Sequence, residues 1–285
     1  ERAEEVVNAA VALYRSEDIP EDEAKLSALY LSIPQAVETK AKYALFDEIL
    51  ALAQRLYGDD SLRYVAFLSM VSKELVFTNE IDRGIAGLER SLKLHLALGV
   101  PESGWPYVLT KTILAEAWSR IGKHQVALRA VEEAITSAAN LPGHSRLMVM
   151  ASRPIVLLNA GSVAEAEAGI RDVIARRRAL LGDVYEHLDR DQSTLALILA
   201  RQGRCQEAQP LAEAGLRNRH KDPLFFGWRA QQAILECLWT EGKLEAFSQL
   251  LTASKALALP RESFEILRYI DAMEPRLAAA LKPRR

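Results

Sequence analysis

Arg120-Ile-Gly122-Lys-His124-Gln-Val-Ala127, Asn159-Ala-Gly161-Ser-Val163-Ala-Glu-Ala166, Arg201-Gln-Gly203-Arg-Cys205-Gln-Glu-Ala208 and Thr240-Glu-Gly242-Lys-Leu244-Glu-Ala246 share one design. Each reads as a helix end, a Gly, a two-residue step into the next helix and a small residue five positions after the Gly. Phe77-Thr-Asn79-Glu-Ile81-Asp-Arg-Gly84 fits the same frame with Asn79 in place of Gly. The turns at 79, 122, 161, 203 and 242 are 43, 39, 42 and 39 residues apart. Self-similarity at such a period marks a chain of stacked helical hairpins. The residue that ends each first helix has to enter the left-handed region, where Gly pays no steric penalty and Asn pays little. Ala127, Ala166, Ala208, Ala246 and Gly84 come early in each second helix, where a large side chain would push the pair apart. Ala115 and Ala196, with the bulky Trp118 and Leu199, are the matching positions on first helices. Pro154 breaks the pattern and predicts a helix that starts late or kinks.

The hydrophobic spacing outside the turns is helical as well. Leu45, Ile49, Leu52 and Leu56 recur at three and four, Ile135 follows Val131 by four, and Ile198 and Leu199 follow Leu195 by three and four. Period-two alternation and Asn-Gly or Asp-Gly hairpin signals are missing, so the chain reads as all-helical. With 49% hydrophobic and 26% charged residues over 285 positions, it has the means to bury a core, which excludes a disordered or low-complexity chain. No apolar run reaches the roughly 18 residues of a membrane helix.

Charge and chemistry-bearing residues narrow the function classes. The net charge of −2 argues against a chain built to neutralise phosphates. Residues 1–142 carry 21 acidic and 15 basic side chains and residues 143–285 carry 17 and 21, so the balance shifts from −6 to +4. Gly-rich phosphate loops, HExxH, GxSxG and ligand-spaced Cys pairs are absent from the sequence. His95, His124, His144, His187 and His220 are dispersed over different repeats. Glu186, His187, Asp189 and Asp191 read as a solvated linker running into a helix rather than as an acid–base or metal site. The run Arg171, Arg176, Arg177 and Arg178, and the run Arg217, Arg219, His220 and Lys221, read as helix ends favoured by the helix dipole. Cys205 and Cys237 lie in apolar helical patterns and read as small buried hydrophobes in a reducing compartment, with a disulfide as the alternative.

The turn stretches resemble the tetratricopeptide repeat, whose frame is a large residue, a small one, Gly, an aliphatic and Ala. A period near 42 exceeds the usual roughly 34 and resembles the longer-helix variant of kinesin light chains, as do the linkers Leu56-Tyr-Gly58-Asp-Asp60 and Leu180-Leu-Gly182-Asp183. The likeness spans roughly residues 40–255. It implies a right-handed α-solenoid of about five degenerate hairpins with a capping element at each end. The expected divisions are N-terminal capping helices over 1–40, repeats over 41–255, and a last helix with a basic tail over 256–285. One continuous solenoid is expected, since no Gly-, Ser- or Pro-rich linker interrupts it. The N-terminal cap would hold a helix at 3–15 with Val6, Ala10 and Leu13 on one face, then a second begun by Asp18, Pro20 and Asp22 and ended by Pro34. Pro260 would introduce the last helix through Ile266, Tyr269 and Ile270.

The resemblance also implies that first helices line a concave face. Counting back from each turn, the partner-binding positions are Lys73, Glu116, Arg120, Asn159, Arg201, Arg229, Gln232, Glu236 and Trp239. Chaperone-binding members place an Asn in this face to clamp a terminal carboxylate. The equivalents here are Lys73, Glu116, Ile155, Leu197 and Glu236, so that clamp is missing. The reading is a cytoplasmic, non-enzymatic scaffold that binds a peptide or protein segment, with no cofactor, metal, membrane or nucleic acid. A second copy of the chain is a further candidate partner. The alternative is the sensing or oligomerising input domain of a bacterial transcriptional regulator or signalling protein, with a small molecule as ligand. Opening on Glu1, the sequence is expected to follow a further domain.

Overall fold

The computed structural model describes residues 22–33, 39–182, 188–217 and 227–282. The expected helix at 3–15, Pro20, Pro34, Glu186, His187, Arg219, His220, Lys221 and the tail from 283 lie outside the described residues. Those described form α1 (Glu23–Leu31), α2 (Thr39–Tyr57), α3 (Leu62–Leu75), α4 (Ile81–Ala97), α5 (Trp105–Arg120), α6 (His124–Ser137), α7 (Gly143–Met150), α8 (Ser152–Asn159) and α9 (Val163–Leu181). They continue as α10 (Leu188–Arg201), α11 (Cys205–Arg217), α12 (Trp228–Thr240), α13 (Leu244–Ala258) and α14 (Phe264–Ala280), with no β-strand among the described residues. The chain divides into two compact units. One is Glu1–Pro101 with Pro260–Glu262; the other is Glu102–Leu259 with Ser263–Arg285.

In the first unit, Asp22 caps α1 by accepting the Lys25 amide at 2.9 Å. Leu26 and Leu29 pack there with Phe46, Ile49 and Leu52 of α2 and Leu68, Val71 and Leu75 of α3. The α3–α4 hairpin is the tightest packing in this unit. A Cβ at Gly84 would stand 2.8 Å from the Ser72 carbonyl oxygen, so only Gly fits there. The turn between these helices differs from the sequence reading, because Asn79 does not adopt a positive φ. The Thr78 hydroxyl ends α3 instead, donating to the Leu75 carbonyl at 2.9 Å and accepting the Glu80 amide at 3.2 Å. A side-chain hydroxyl thus supplies what a left-handed residue supplies in the later turns.

The second unit repeats one turn four times. Gly122, Gly161, Gly203 and Gly242 have φ of 83°, 84°, 75° and 70°. The amides that follow them, Lys123, Ser162, Arg204 and Lys243, each bond at 2.9 Å to the carbonyl five residues back, at Trp118, Leu157, Leu199 and Leu238. This is the Schellman arrangement, which satisfies carbonyls at the helix end and aims the chain back along it. Pro154 acts as expected. It stands early in α8, and α7 and α8 are one helical run broken at Ala151. Pro cannot donate to the Met150 carbonyl, and its ring faces Gly169 of α9, where a Cβ would lie 3.1 Å away.

Ala127, Ala166 and Ala208 are fully buried where their hairpins close, but Ala246 is exposed. It stands four residues after Gly242 and not five. The fifth is Phe247, fully buried, its ring 5.3 Å from Trp239 in an edge-on contact. The last hairpin tolerates a large residue there because Ile266, Ile270 and Met273 of α14 join Phe247, Leu251 and Trp228 in its core. The cysteine reading is also corrected. Cys205 and Cys237 form a disulfide, Cα–Cα 5.4 Å, that fastens the start of α11 to the last turns of α12.

Ala208→Leu is expected to cost about 1–3 kcal/mol through overpacking, and Ala246→Leu to stay within about 0.5 kcal/mol, read by urea unfolding. Equal losses would refute the register. Reduction of Cys205–Cys237, which closes a loop with a sequence separation of 32, is expected to lower stability by about 2–4 kcal/mol, measured by thermal melts with and without a phosphine reductant.

Candidate functional site

Polar side chains of the first helices gather inside the second unit. Glu116 of α5 is buried, and its carboxylate is shared among several donors. Arg120 approaches it at 3.4 Å, Arg190 of α10 at 3.6 Å, and the Ser152 hydroxyl of α8 donates to it at 2.5 Å. Arg120 also meets Glu265 of α14 at 3.5 Å, and the Arg268 guanidinium donates to the Arg120 carbonyl. The first turns of α14 therefore lie against the end of α5. Next to these groups is Arg229 of α12, only 9% exposed. The charges of Glu265, Arg190, Glu116 and Arg120 act on it, and its own charge acts on Asp191. It makes no hydrogen bond or ion pair among the described residues.

The electrostatics follow from burial and from this crowd of guanidinium groups. Burial pushes the Glu116 carboxyl up, but Arg190, Arg120, Arg229 and the Ser152 hydroxyl outweigh it and hold it below the ordinary carboxylate value. Burial pushes Arg229 down, because its charge has left water without a close partner; Glu265 and Glu116 oppose this, while Arg190 and Arg120 add to it. A second buried pair, Arg177 and Asp191 at 3.0 Å, ties α9 to α10. Burial pushes the Asp191 carboxyl up to about 6 against the pull of Arg177, Arg190 and Arg229.

A further group forms along α12. Arg201 stands 4.0 Å from Glu236 and donates to the Leu158 carbonyl at 3.4 Å. Burial pushes Glu236 up, with Arg201 and Arg276 pulling the other way. Trp239 packs edge-on against Phe247, and the Arg276 guanidinium of α14 sits 5.2 Å from its ring centroid. The Tyr269 hydroxyl close by is buried with no hydrogen-bond partner among the described residues, and burial raises its pKa.

The sequence-derived positions thus fall into three groups. Glu116, Arg120, Arg229 and Gln232 are buried in the second unit rather than lining an open surface. Arg201 is exposed and Asn159, Glu236 and Trp239 are partly exposed, all occupied by one another or by neighbours, Asn159 donating to the Ser119 hydroxyl at 2.9 Å. Lys73 belongs to the first unit, where it pairs with Glu74 at 3.3 Å. Of the basic run on α9, Arg171 and Arg176 make surface pairs with Glu167 and Asp172, whereas Arg177 is buried.

Sequence reasoning missed Arg190, Ser152, Glu265 and Arg268. For Arg190 the signal was present. It stands thirteen residues before Gly203, and Arg229 stands thirteen before Gly242. The two are one position in successive repeats. Ser152, Glu265 and Arg268 have no such periodic marker, because α7–α8 is broken and α14 lies beyond the last repeat.

Comparison with solved structures agrees with this fold. The Rap protein complexed with Competence and Sporulation Factor superposes with a TM-score of 0.54 over 98% of this chain and 94% of that one, at 14% identity. The fold is the helical repeat of the tetratricopeptide type. A kinesin light chain from Podosopora anserina with nearly identical TPR-like repeats matches 74% of this chain and 97% of its own at TM-score 0.47 and 19% identity. The P58(IPK) TPR domain matches 91% and 66% at TM-score 0.35 and 14% identity. No protein-family model and no curated protein matches the chain. None of the helices among the described residues is long and apolar enough to cross a membrane.

Glu116→Gln is expected to destabilise the chain by about 3 kcal/mol near neutral pH, since it leaves buried arginines without their counter-charge. The folded carboxyl titrates below its ordinary 4.5, so its contribution is present above 4.5 and is lost as pH falls through the folded value. The gap between parent and variant should therefore shrink in acid. Urea unfolding at both pH values checks this; a gap that is constant with pH would show that Glu116 is not ionised in the fold.

Proposed function

We propose that this chain is a protein-interaction module that holds a peptide or protein segment against the first helices of its repeats, acting by binding and not by chemistry. The observation that carries the reading is the convergence of α5, α8, α10 and α12, whose turn-anchored polar positions meet on one wall of the second unit. Helical-hairpin arrays of this type present such walls as extended binding surfaces. Arg and Trp, the residue types most enriched in binding hot spots, reach its solvent-facing edge at Arg201 and Trp239. Lys73 would serve the same purpose in the first unit.

A second reading, the ligand-sensing input module of a signalling protein or transcriptional regulator, draws on the Rap neighbour, whose own structure holds the Competence and Sporulation Factor. Both readings place the ligand on the first helices. They differ in whether binding recruits a partner or shifts an attached effector. Expected divisions at 41–255 for the repeats and 256–285 for the closing helix remain part of this proposal, as does a cytoplasmic setting.

Affinity capture with the full chain as bait, followed by amide hydrogen exchange of the complex, tests the module. A captured protein should slow exchange in α5, α10 and α12 and leave the outer faces of α6, α11 and α13 unchanged. Protection confined to second helices, or no captured protein at all, would sink the proposal.

A further inference from the structure

The Cys205–Cys237 disulfide joins neighbouring hairpins, not the two helices of one hairpin. Cys205 stands two residues after Gly203 and opens α11, while Cys237 stands five before Gly242 in the last turns of α12. The same two places at the preceding junctions are held by Val163 with Ile198 and by His124 with Val156. Those junctions close by packing alone. Val163 and Ile198 belong to one apolar cluster, and Val156 packs with Ala127 and Val131. At the bridged junction Ala208, Ala212, Ala230 and Ala233 also pack together, with Cys237 against them. The repeat therefore stacks without the covalent bond, and opening that bond leaves a folded chain.

What the bond adds is a fixed distance at the edge of the wall. Arg201 precedes Cys205 by four residues across the turn, Glu236 adjoins Cys237, and the two charged groups stand 4.0 Å apart. Both links run from the α10–α11 turn to the end of α12. An ion pair between groups in contact with solvent holds little by itself. The disulfide, with its Cα–Cα distance of 5.4 Å, is the tie that keeps these segments in register. Trp239, two residues beyond Cys237, is partly exposed at the same edge.

We propose that Cys205–Cys237 is a thiol–disulfide switch that locks the end of α12 to the α10–α11 turn when oxidised and frees it when reduced. It rests on the interaction reading above, for which it names the regulation of the wall. In the cytoplasmic setting proposed there, a protein disulfide is characteristically transient and redox-sensing. The reductant is a thiol of the glutathione class. Cys205 is buried at 8% exposure and Cys237 is partly exposed, so the first thiolate attacks the Cys237 Sγ. The S–S bond breaks and its electron pair leaves on the Cys205 Sγ, which takes up a proton. The N-terminus of α11 favours this leaving thiolate, and Glu207 in the same turn is engaged by Arg204 at 2.7 Å. A second glutathione thiolate attacks the mixed disulfide at the glutathione sulfur, releasing Cys237 as a thiol and one oxidised glutathione. Oxidised glutathione reverses the sequence.

The test incubates the full chain without denaturant at a series of reduced-to-oxidised glutathione ratios, then counts free thiols by iodoacetamide labelling and mass spectrometry. Both thiols should appear together, and vanish when the ratio is reversed, with helical circular dichroism unchanged. Amide exchange in the first turn of α11 and the last turn of α12 should quicken by roughly tenfold or more on reduction, while α5 and α6 keep their rates. The double variant Cys205→Ala with Cys237→Ala should match the reduced parent at every ratio; if its small side chains impair folding, the reduced parent itself supplies the open state. Thiols released only in denaturant, helicity lost on reduction, or equal exchange in the two states would each overturn the inference. A protein captured by the bait should bind oxidised and reduced chains with affinities that differ by roughly tenfold. Equal binding would overturn the switch and leave the interaction module standing. Capture of no protein would sink the interaction reading alone, since thiol counts and exchange rates decide the switch without a partner.

Discussion

Two helices can lie side by side only if the chain between them reverses tightly and the side chains at the crossing are small. Both conditions are met by a few residues per repeat. Gly122, Gly161, Gly203 and Gly242 take left-handed φ, and the amides after them return to carbonyls five residues back. Ala127, Ala166 and Ala208 then let the second helix settle against the first with no exposed surface left. The reversal sets which face of each first helix looks outward, and all later features of the second unit inherit that choice. Where the turn glycine is missing, the Thr78 hydroxyl takes over its hydrogen-bonding role, and Gly84 and Gly87 take up the crossing.

Fixing that face has an electrostatic consequence. Positions counted back from each turn carry Glu, Arg and Gln, and four successive first helices bring them to one wall. Once α14 lies against α5 through Glu265 and Arg268, this wall is largely withdrawn from water. Charged groups in such a place must neutralise one another or remain costly. Glu116 shows the first outcome, held ionised by three arginines and a hydroxyl. Arg229 shows the second, pushed down by burial while Glu265 and Glu116 pull the other way.

The hairpins, their period and the identity of the turn residues were legible because they rest on local rules: left-handed glycine, helical spacing and small residues at crossings. The kink at Pro154 was legible for the same reason, since a missing amide acts within one turn. Misreadings arose where a local rule had two solutions. Asn79 is compatible with a left-handed turn but Thr78 provides a cheaper one. Ala246 resembles the small residues of the other repeats, yet Phe247 is the buried one, because the last hairpin has α14 rather than another hairpin as its neighbour. The cysteines read as isolated apolar residues, since nothing in their 32-residue separation says that α11 and α12 bring them together.

The sequence by itself determined an all-helical repeat and where its hairpins turn. Its periodicity even contained the equivalence of Arg190 and Arg229. Only the tertiary structure decided that those positions come together near α14, that Glu116 is shared, that Trp239 packs and does not stand free, and that Arg229 is buried. The reason is physical. Helix and turn propensities act over a few residues, whereas the state of a charge depends on every group packed around it, and those groups come from positions up to 149 residues apart, as Glu116 and Glu265 do.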